Sequence, residues 1–194
     1  EGEKYTQRIE KTIRDAARNG IPHVIIHCTA GGKPEEPHGS PIGIERFGRI
    51  IKLAKSLGVK PVFENLEYPE MLGLIMDTFR DEDIGFCWDT GHELCYNYGK
   101  DLIALYGDKL SVTHINDNLG IKDYNGKIFW HDDLHLLPFD GIKDWDDFGE
   151  RLRKCGYKGI LTFELNKLSK PHRHENDKYE KMTLQEYFTE SYIR

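Results

Sequence analysis

Residues able to do acid–base or metal chemistry recur along this chain at wide intervals, each closing a short apolar run. His27 ends HVIIH and Glu64 ends KPVFE. Asp89 and His92 sit in WDTGHE, His114 and Asp117 in THIND, Asp133 and His135 in DLH, and Glu164 in TFEL. Desolvating a carboxylate or an imidazole costs several kcal/mol unless it is paired or coordinated, so a core strand has no reason to finish in one. Carboxylate oxygens mixed with imidazole nitrogens suit Mn²⁺, Zn²⁺ or Mg²⁺, and the mixture does not select among them. The pattern therefore predicts one divalent-metal site with acid–base groups beside it.

Asp-Thr-Gly at residues 89–91 is also the signature of an aspartic protease. Such an enzyme needs two of these loops sharing a proton, from one all-β chain or from a homodimer. This chain has a single copy inside alternating strands and helices, which removes the protease reading.

The elements that must position these residues follow from hydrophobic spacing. Tyr5, Ile9, Ile13 and Ala17 predict a helix over residues 5–18, stopped by Gly20 and Pro22 before the strand HVIIHC. The loop GGKPEEPHGSP is glycine-rich without a phosphate-loop pattern and reads as a mobile loop near the site. A helix over 42–57 and the strand KPVFEN come next, then a helix over 69–79 and the strand DIGFCWD, then a helix over 100–106 and the strand KLSVTHI. Residues 116–141 form a long polar loop holding a brief strand KIFWHD, and a loop of that length is expected to be functional. A helix over 145–154, its stop Gly156, the strand KGILTFEL, a charged loop and an amphipathic segment over 182–193 complete the chain.

Strands alternating with helices imply a parallel sheet, either doubly wound or closed as a (β/α)₈ barrel. A doubly wound sheet concentrates function at a glycine-rich turn, whereas a barrel spreads it over the C-terminal ends of many strands. This chain does the second, so an α/β TIM barrel is expected.

Composition narrows the class. The chain has 194 residues, 38% of them apolar, with no run long enough to span a bilayer, and reads as one domain over residues 1–194. A net charge of −6 with both signs interspersed argues against nucleic acid as a partner, and a small molecule is expected instead. Cys28, Cys87, Cys95 and Cys155 lack a paired spacing, which reads as a reduced, cytoplasmic setting. The sequence begins EGEKYTQ without Met, so its start says nothing about targeting.

The stretches VFEN, WDTGH, THIND, DLH and FEL, in this order over residues 9–164, resemble the sugar phosphate isomerase/epimerase superfamily, the xylose isomerase-like TIM barrels that include endonuclease IV. The resemblance implies that Glu64, Asp89, His114 and Glu164 hold one divalent metal. It further implies that Glu64 and Glu164 move a proton on opposite faces of a sugar or polyol through a metal-stabilised enediolate, with His92 steadying a substrate oxygen. The alternative role for each glutamate is a structural salt bridge. Such barrels carry two βα units before the strand like HVIIHC. Here one helix precedes it, so about six of eight units are expected, in a fragment of a longer protein or in an open barrel that another copy closes.

Two other chemistries are compatible with the same residues. In the endonuclease IV branch the positions matching His27, His92, Asp133 and His135 bind further zinc ions that attack phosphodiesters; the acidic net charge argues against that use. An inosose-type dehydratase shares the D-T-G-H unit and eliminates water after the same proton abstraction. A binder on a decayed barrel is a third reading, opposed by the complete ligand set. Among the rest, His23, His38, His172 and His174 read as solvated or polar-paired and His131 is undecided. Tyr96, Tyr98, Phe129, Trp130, Phe139 and Trp145 could wall a sugar pocket or simply pack.

Overall fold

A computed structural model describes residues 1–29, 39–97, 100–121 and 130–194. Four parallel strands, β1 (His23–Ile26), β2 (Lys60–Glu64), β3 (Gly85–Asp89) and β4 (Leu110–His114), form one sheet in sequential order. Between them run α1 (Gly2–Arg18) before β1, α2 (Pro41–Ser56) before β2, α3 (Pro69–Thr78) before β3, and the short α4 (Thr90–Cys95) and α5 (Leu102–Tyr106) before β4. Then come α6 (Trp145–Cys155), α7 (Asp177–Glu180) and α8 (Leu184–Ile193).

Each main helix buries the stripe its sequence offers. Ile9, Ile13 and Ala16 of α1, Ile50, Ile51 and Ala54 of α2, and Leu72, Ile75 and Met76 of α3 join Phe63, Phe86 and Trp88 in one core. Ser40 caps α2 by accepting the Gly43 N–H at 3.1 Å, Pro41 takes the first turn, and Gly156 in the left-handed region ends α6. A satellite cluster of Leu134, Leu136, Leu137, Tyr179 and Tyr187 anchors the C-terminal helices.

Register decides which side chains meet. β1 and β2 pair as Ile26 with Phe63, so His27 emerges beside Glu64. Between β3 and β4 the register slips: Phe86 pairs with Leu110, but Cys87 pairs with Val112, leaving Ser111 extra. Gly85 makes room, because a Cβ there would lie 2.8 Å from Ser111 Cβ. The slip sets Asp89 opposite His114; without it Asp89 would face Thr113 and the imidazole would project from the other side of the sheet.

Several sequence expectations change. KGILTFEL is not a strand: it meets β4 through a single parallel bridge between Ile115 and Phe163, with Ile115 N–H to Thr162 O at 2.8 Å and Glu164 N–H to Ile115 O at 3.1 Å. Thr113 Oγ1 takes the Thr162 N–H, displacing a ladder bond, and Ile160 is 84% exposed. Asp133 and His135 stand on a loop next to the antiparallel bridge between Asp117 and Leu136, so six strand ends become four plus two flanking segments. Trp130–Asp132 is a 3-10 turn where KIFWHD was expected as a strand, and residues 127–129 of that stretch lie outside the described residues. So do residues 31–38 of the glycine-rich loop, including His38, and Tyr98 and Phe129. Helices α4 and α7 were not anticipated. Gly91 lies inside α4, where a Cβ would strike the Asn116 carboxamide. No described helix is long and apolar enough to cross a membrane.

Candidate functional site

Glu64 is the hub. Only 2% exposed at the end of β2, it meets the imidazole of His114 through Oε1 at 2.9 Å and that of His27 through Oε2 at 3.0 Å. His114 Nδ1 also stands 2.7 Å from Glu164 Oε2, so one imidazole bridges carboxylates from two separate segments. Burial alone would raise the Glu64 carboxyl, but hydrogen bonds from His114 and His27 outweigh it and hold the group low. Burial opposes the charged form of His114; hydrogen bonds with Cys87, Glu164 and Glu64 outweigh it and move its pKa well up. The Glu164 carboxyl is held below its ordinary range, burial being outweighed by His114.

Asp89 is fully buried. Its Oδ1 accepts the His92 N–H at 2.7 Å, capping α4, and Asn116 Nδ2 donates to its two oxygens at 3.2 and 3.0 Å. Asn65 fixes the backbone on either side, accepting the Asp89 N–H at 2.7 Å and donating to the Asp89 carbonyl at 2.9 Å. Burial pushes the Asp89 carboxyl up to about 6, opposed by the charge of His92 and aided by repulsion from Glu64. One ligand atom each from Glu64, Asp89, His114 and Glu164 can be chosen so that all lie within 4.8 Å of one another. Three carboxylates and one imidazole converging this closely form a donor set of the kind that suits a hard divalent cation.

A second group adjoins the first. His92 Nδ1 donates to the Asn65 carbonyl at 2.8 Å and His135 Nδ1 to the Glu164 carbonyl at 2.9 Å. Their Nε2 atoms stand 3.4 and 2.7 Å from Asp133 Oδ2, while Asp133 Oδ1 is buried without a partner. His92, Asp133 and His135 can also place ligand atoms within 4.8 Å of one another. Backbone anchoring of Nδ1 is how metal-binding imidazoles are commonly oriented. Burial depresses the His92 and His135 pKa values, but the surrounding carboxylates, Asp89 and Asp133 foremost for His92 and Asp133 for His135, carry them up to about 10 and 9.

His27, Glu64, His92, Asp133, His135 and Glu164 border a cavity of about 260 Å³, which Glu67, Tyr96 and Trp130 also line. A larger hollow of about 440 Å³ between α1 and α2, lined by Tyr5, Cys28, Arg46 and Phe47, contains no converging imidazoles and carboxylates, so the chemistry belongs to the smaller cavity. Of the eight residues singled out for metal, catalysis or substrate, His27, Glu64, His92, Asp133, His135 and Glu164 line it, and Asp89 and His114 join them through the ligand group they share with Glu64 and Glu164. Asp117 does not. It is buried away from the cavity, accepting N–H bonds from Asn118, Lys143 and the Trp145 indole. Phe139 and Trp145 pack on each other at 5.4 Å. Asn65 and Asn116 were missed as holders of Asp89 although both sit inside quoted stretches, next to Glu64 in VFEN and between His114 and Asp117 in THIND. Lys170, 3.8 Å from Asp133 Oδ2, carries no local sequence signal.

The family model described as xylose isomerase-like TIM barrel matches residues 1–183. The uncharacterized protein y4fM of Sinorhizobium fredii is 33% identical over 117 residues, 60% of this chain and 34% of that one, so the match spans about a third of this curated relative. Among solved structures, a xylose isomerase domain protein from Planctomyces limnophilus superposes with a TM-score of 0.68 at 20% identity, covering 96% of this chain and 64% of its own. The D-allulose 3-epimerase of Methylomonas sp. gives a TM-score of 0.68 at 16% identity, covering 97% and 67%. At these identities the structural likeness is one of fold.

Proposed function

This chain belongs to the xylose isomerase-like TIM barrel family, and from that premise we propose that it is a divalent-metal-dependent isomerase or epimerase of a sugar or sugar phosphate. The observation that carries the reading is the meeting of Glu64, Asp89, His114 and Glu164 from four separate segments. A divalent cation held by these four would polarise a ketose carbonyl and its neighbouring hydroxyl, acidifying the C–H bond beside them. Glu164, half exposed beside the cavity, takes that proton as the bond breaks, and the electron pair moves into an enediolate. Glu64, recharged by a proton from His27 Nε2 3.0 Å away, delivers it to the other face, which inverts the carbon. His92, its Nδ1 fixed on the Asn65 carbonyl, presents Nε2 to a substrate oxygen. That the D-allulose relative is an epimerase supports the reaction class.

The same reading takes residues 1–194 as one barrel domain with about six of eight βα units. In its support, β1 pairs on one side only among the described residues, and Ile160, Leu161 and Phe163 are exposed at the opposite end.

The test is deuterium incorporation next to the carbonyl when metal-loaded protein meets a ketose panel in D₂O. Exchange that vanishes in Glu164→Gln is expected; exchange persisting in that variant removes Glu164 as the base, and no exchange with any ketose removes the reading. Loss of water from the product would instead mark a dehydratase. A second reading, a phosphodiesterase with a multinuclear zinc site, draws on the His92, Asp133 and His135 group, whose Nε2 atoms already turn toward one carboxylate. Two or three ions per chain with cleavage of abasic-site DNA would favour it over the one-ion isomerase.

A further inference from the structure

We infer that the Tyr96 hydroxyl is a specificity-determining hydrogen-bond donor of the cavity: it meets one alcohol oxygen of the substrate, beside the oxygen that His92 holds, and selects sugars that carry an oxygen there. This rests on the reading of the cavity as a sugar site. It assigns Tyr96, which the sequence leaves between pocket wall and packing, to the polar side of that site.

Tyr96 is 2% exposed and lines the cavity. Burying a phenol normally requires a partner for its hydroxyl. Tyr179, also buried, has one in the Asp140 carboxylate at 2.5 Å. Among the described residues the Tyr96 hydroxyl has no hydrogen-bond partner, yet it is not sealed off, because Tyr96 faces the cavity. Its place is fixed without the hydroxyl. Tyr96 closes α4 as the C-cap, its N–H donating to the His92 carbonyl at 2.7 Å. The next residue, Asn97, is buried, donating to the Leu66 carbonyl at 2.9 Å and accepting from Asn65 at 2.7 Å. Four residues apart on one helical turn, His92 and Tyr96 present their rings side by side, with centroids 5.1 Å apart. A donor ordered beforehand loses little entropy on binding.

The chemistry of the walls says what this hydroxyl meets. Glu64, Glu67, Asp133 and Glu164 line the cavity as acceptors. Burial, with Asp133 adding repulsion, pushes the Tyr96 phenol well above its ordinary pKa, so it keeps its proton and offers it. A ligand for such a cavity must donate to carboxylates and also accept from a phenol. An alcohol group does both, whereas an ammonium only donates and a phosphate dianion only accepts. Tyr96 stands outside the group of Glu64, Asp89, His114 and Glu164 at which bonds would change. Its hydrogen bond is therefore as strong in the ground state as in the transition state and acts mainly on KM.

The experiment compares metal-loaded wild type with Tyr96→Phe over a panel of ketoses and their monodeoxy analogues, by deuterium exchange and by calorimetric binding. Tyr96→Phe should raise KM about tenfold with a smaller effect on kcat. Its melting temperature and metal affinity should match wild type, since no protein hydrogen bond is lost. One monodeoxy ketose should bind wild type about tenfold more weakly than its parent and should bind Tyr96→Phe no differently from wild type. Three results overturn the inference and leave the isomerase reading intact: an unchanged KM in Tyr96→Phe, a lowered melting temperature, or a loss of equal size with every monodeoxy analogue. Ketose binding that weakens in Tyr96→Phe without exchange of any sugar would do the reverse. No binding of any ketose would sink both.

Discussion

Asp89 Oδ1 accepts the backbone N–H of His92 at 2.7 Å, so the carboxylate that joins the ligand group also starts the helix presenting the neighbouring imidazole. The two roles come apart in Asp89→Asn. Asparagine caps a helix as well as aspartate does, and Asn116, whose buried Oδ1 lacks a partner, can turn to accept the new amide N–H. What disappears is a desolvated charge. Burial raises the Asp89 carboxyl from 3.8 to about 6, and a raised acid costs stability as pH climbs from its unfolded value through its folded one. Ion-free wild type should lose stability from this group between pH 4 and 6, and Asp89→Asn should not. At pH 7 the ion-free variant should melt at or above wild type while Mn²⁺ or Zn²⁺ no longer raises its melting temperature. Calorimetry with and without metal checks both.

Ion binding should stabilise the folded chain by mass action. At a free metal concentration a hundredfold above Kd the gain is about 2.7 kcal/mol, roughly 5–10 °C for a domain of this size, and a chelator should reverse it. Elemental analysis gives the number of ions. His135→Ala should leave a one-ion protein unchanged and remove one ion from a two-ion protein, since His135 belongs only to the second group.

Beneath β3 lies a buried ion cluster. Glu93 receives Lys143 and, at 2.6 Å, Arg151, and both cations stand over the Trp88 ring, 5.0 and 4.7 Å from its centroid. Glu93→Gln would strand a lysine whose side chain is 4% exposed, at a cost of about 3–5 kcal/mol. The double variant Glu93→Leu with Lys143→Met should recover much of that loss. Urea unfolding measures it, and recovery failing to appear would mean that shape, not charge, governs this layer.

The C-terminal helix α8 is clamped through Asp140, whose carboxylate accepts from Tyr179 at 2.5 Å and pairs with Arg194 at 2.7 Å and Lys178 at 3.0 Å. Burial raises its carboxyl, but these three partners outweigh it and leave it lowered. A lowered acid contributes stability that is present above its unfolded value of 3.8 and lost as pH falls through the folded one. Asp140→Asn should therefore cost about 1–2 kcal/mol at pH 7 and progressively less as pH falls below 3.8. Thermal melts of both proteins across this range test it.

Much of this was legible because ligand chemistry leaves a mark that packing does not. Glu64, Asp89 and His114 announce themselves by ending apolar runs, and the βα alternation fixes the parallel sheet. The slip at Ser111, on which the pairing of Asp89 with His114 depends, is invisible, because strand composition reads the same in either register. Helix α4 was hidden by its brevity and by Gly91, which suggests a turn until Asn116 is seen filling the space a side chain would need. KGILTFEL has strand composition throughout, but with neighbours on one side only it forms a single bridge. Lys170 meets Asp133 from 37 residues further along the chain, beyond α6, a contact with no periodicity to betray it.

The double duty of Asp89 bears on how relatives of this chain should be judged. A descendant that had given up the chemistry would still be under pressure to keep Asp, Asn, Ser or Thr at this position, since α4 needs its first N–H groups satisfied. Retention there is thus a poor witness to activity. Among the described residues the Glu164 carboxylate caps no helix, and the one side chain it pairs with is His114. Under the proposed function it is the residue free to drift once activity lapses, and the one whose presence should distinguish a working member from an inert one.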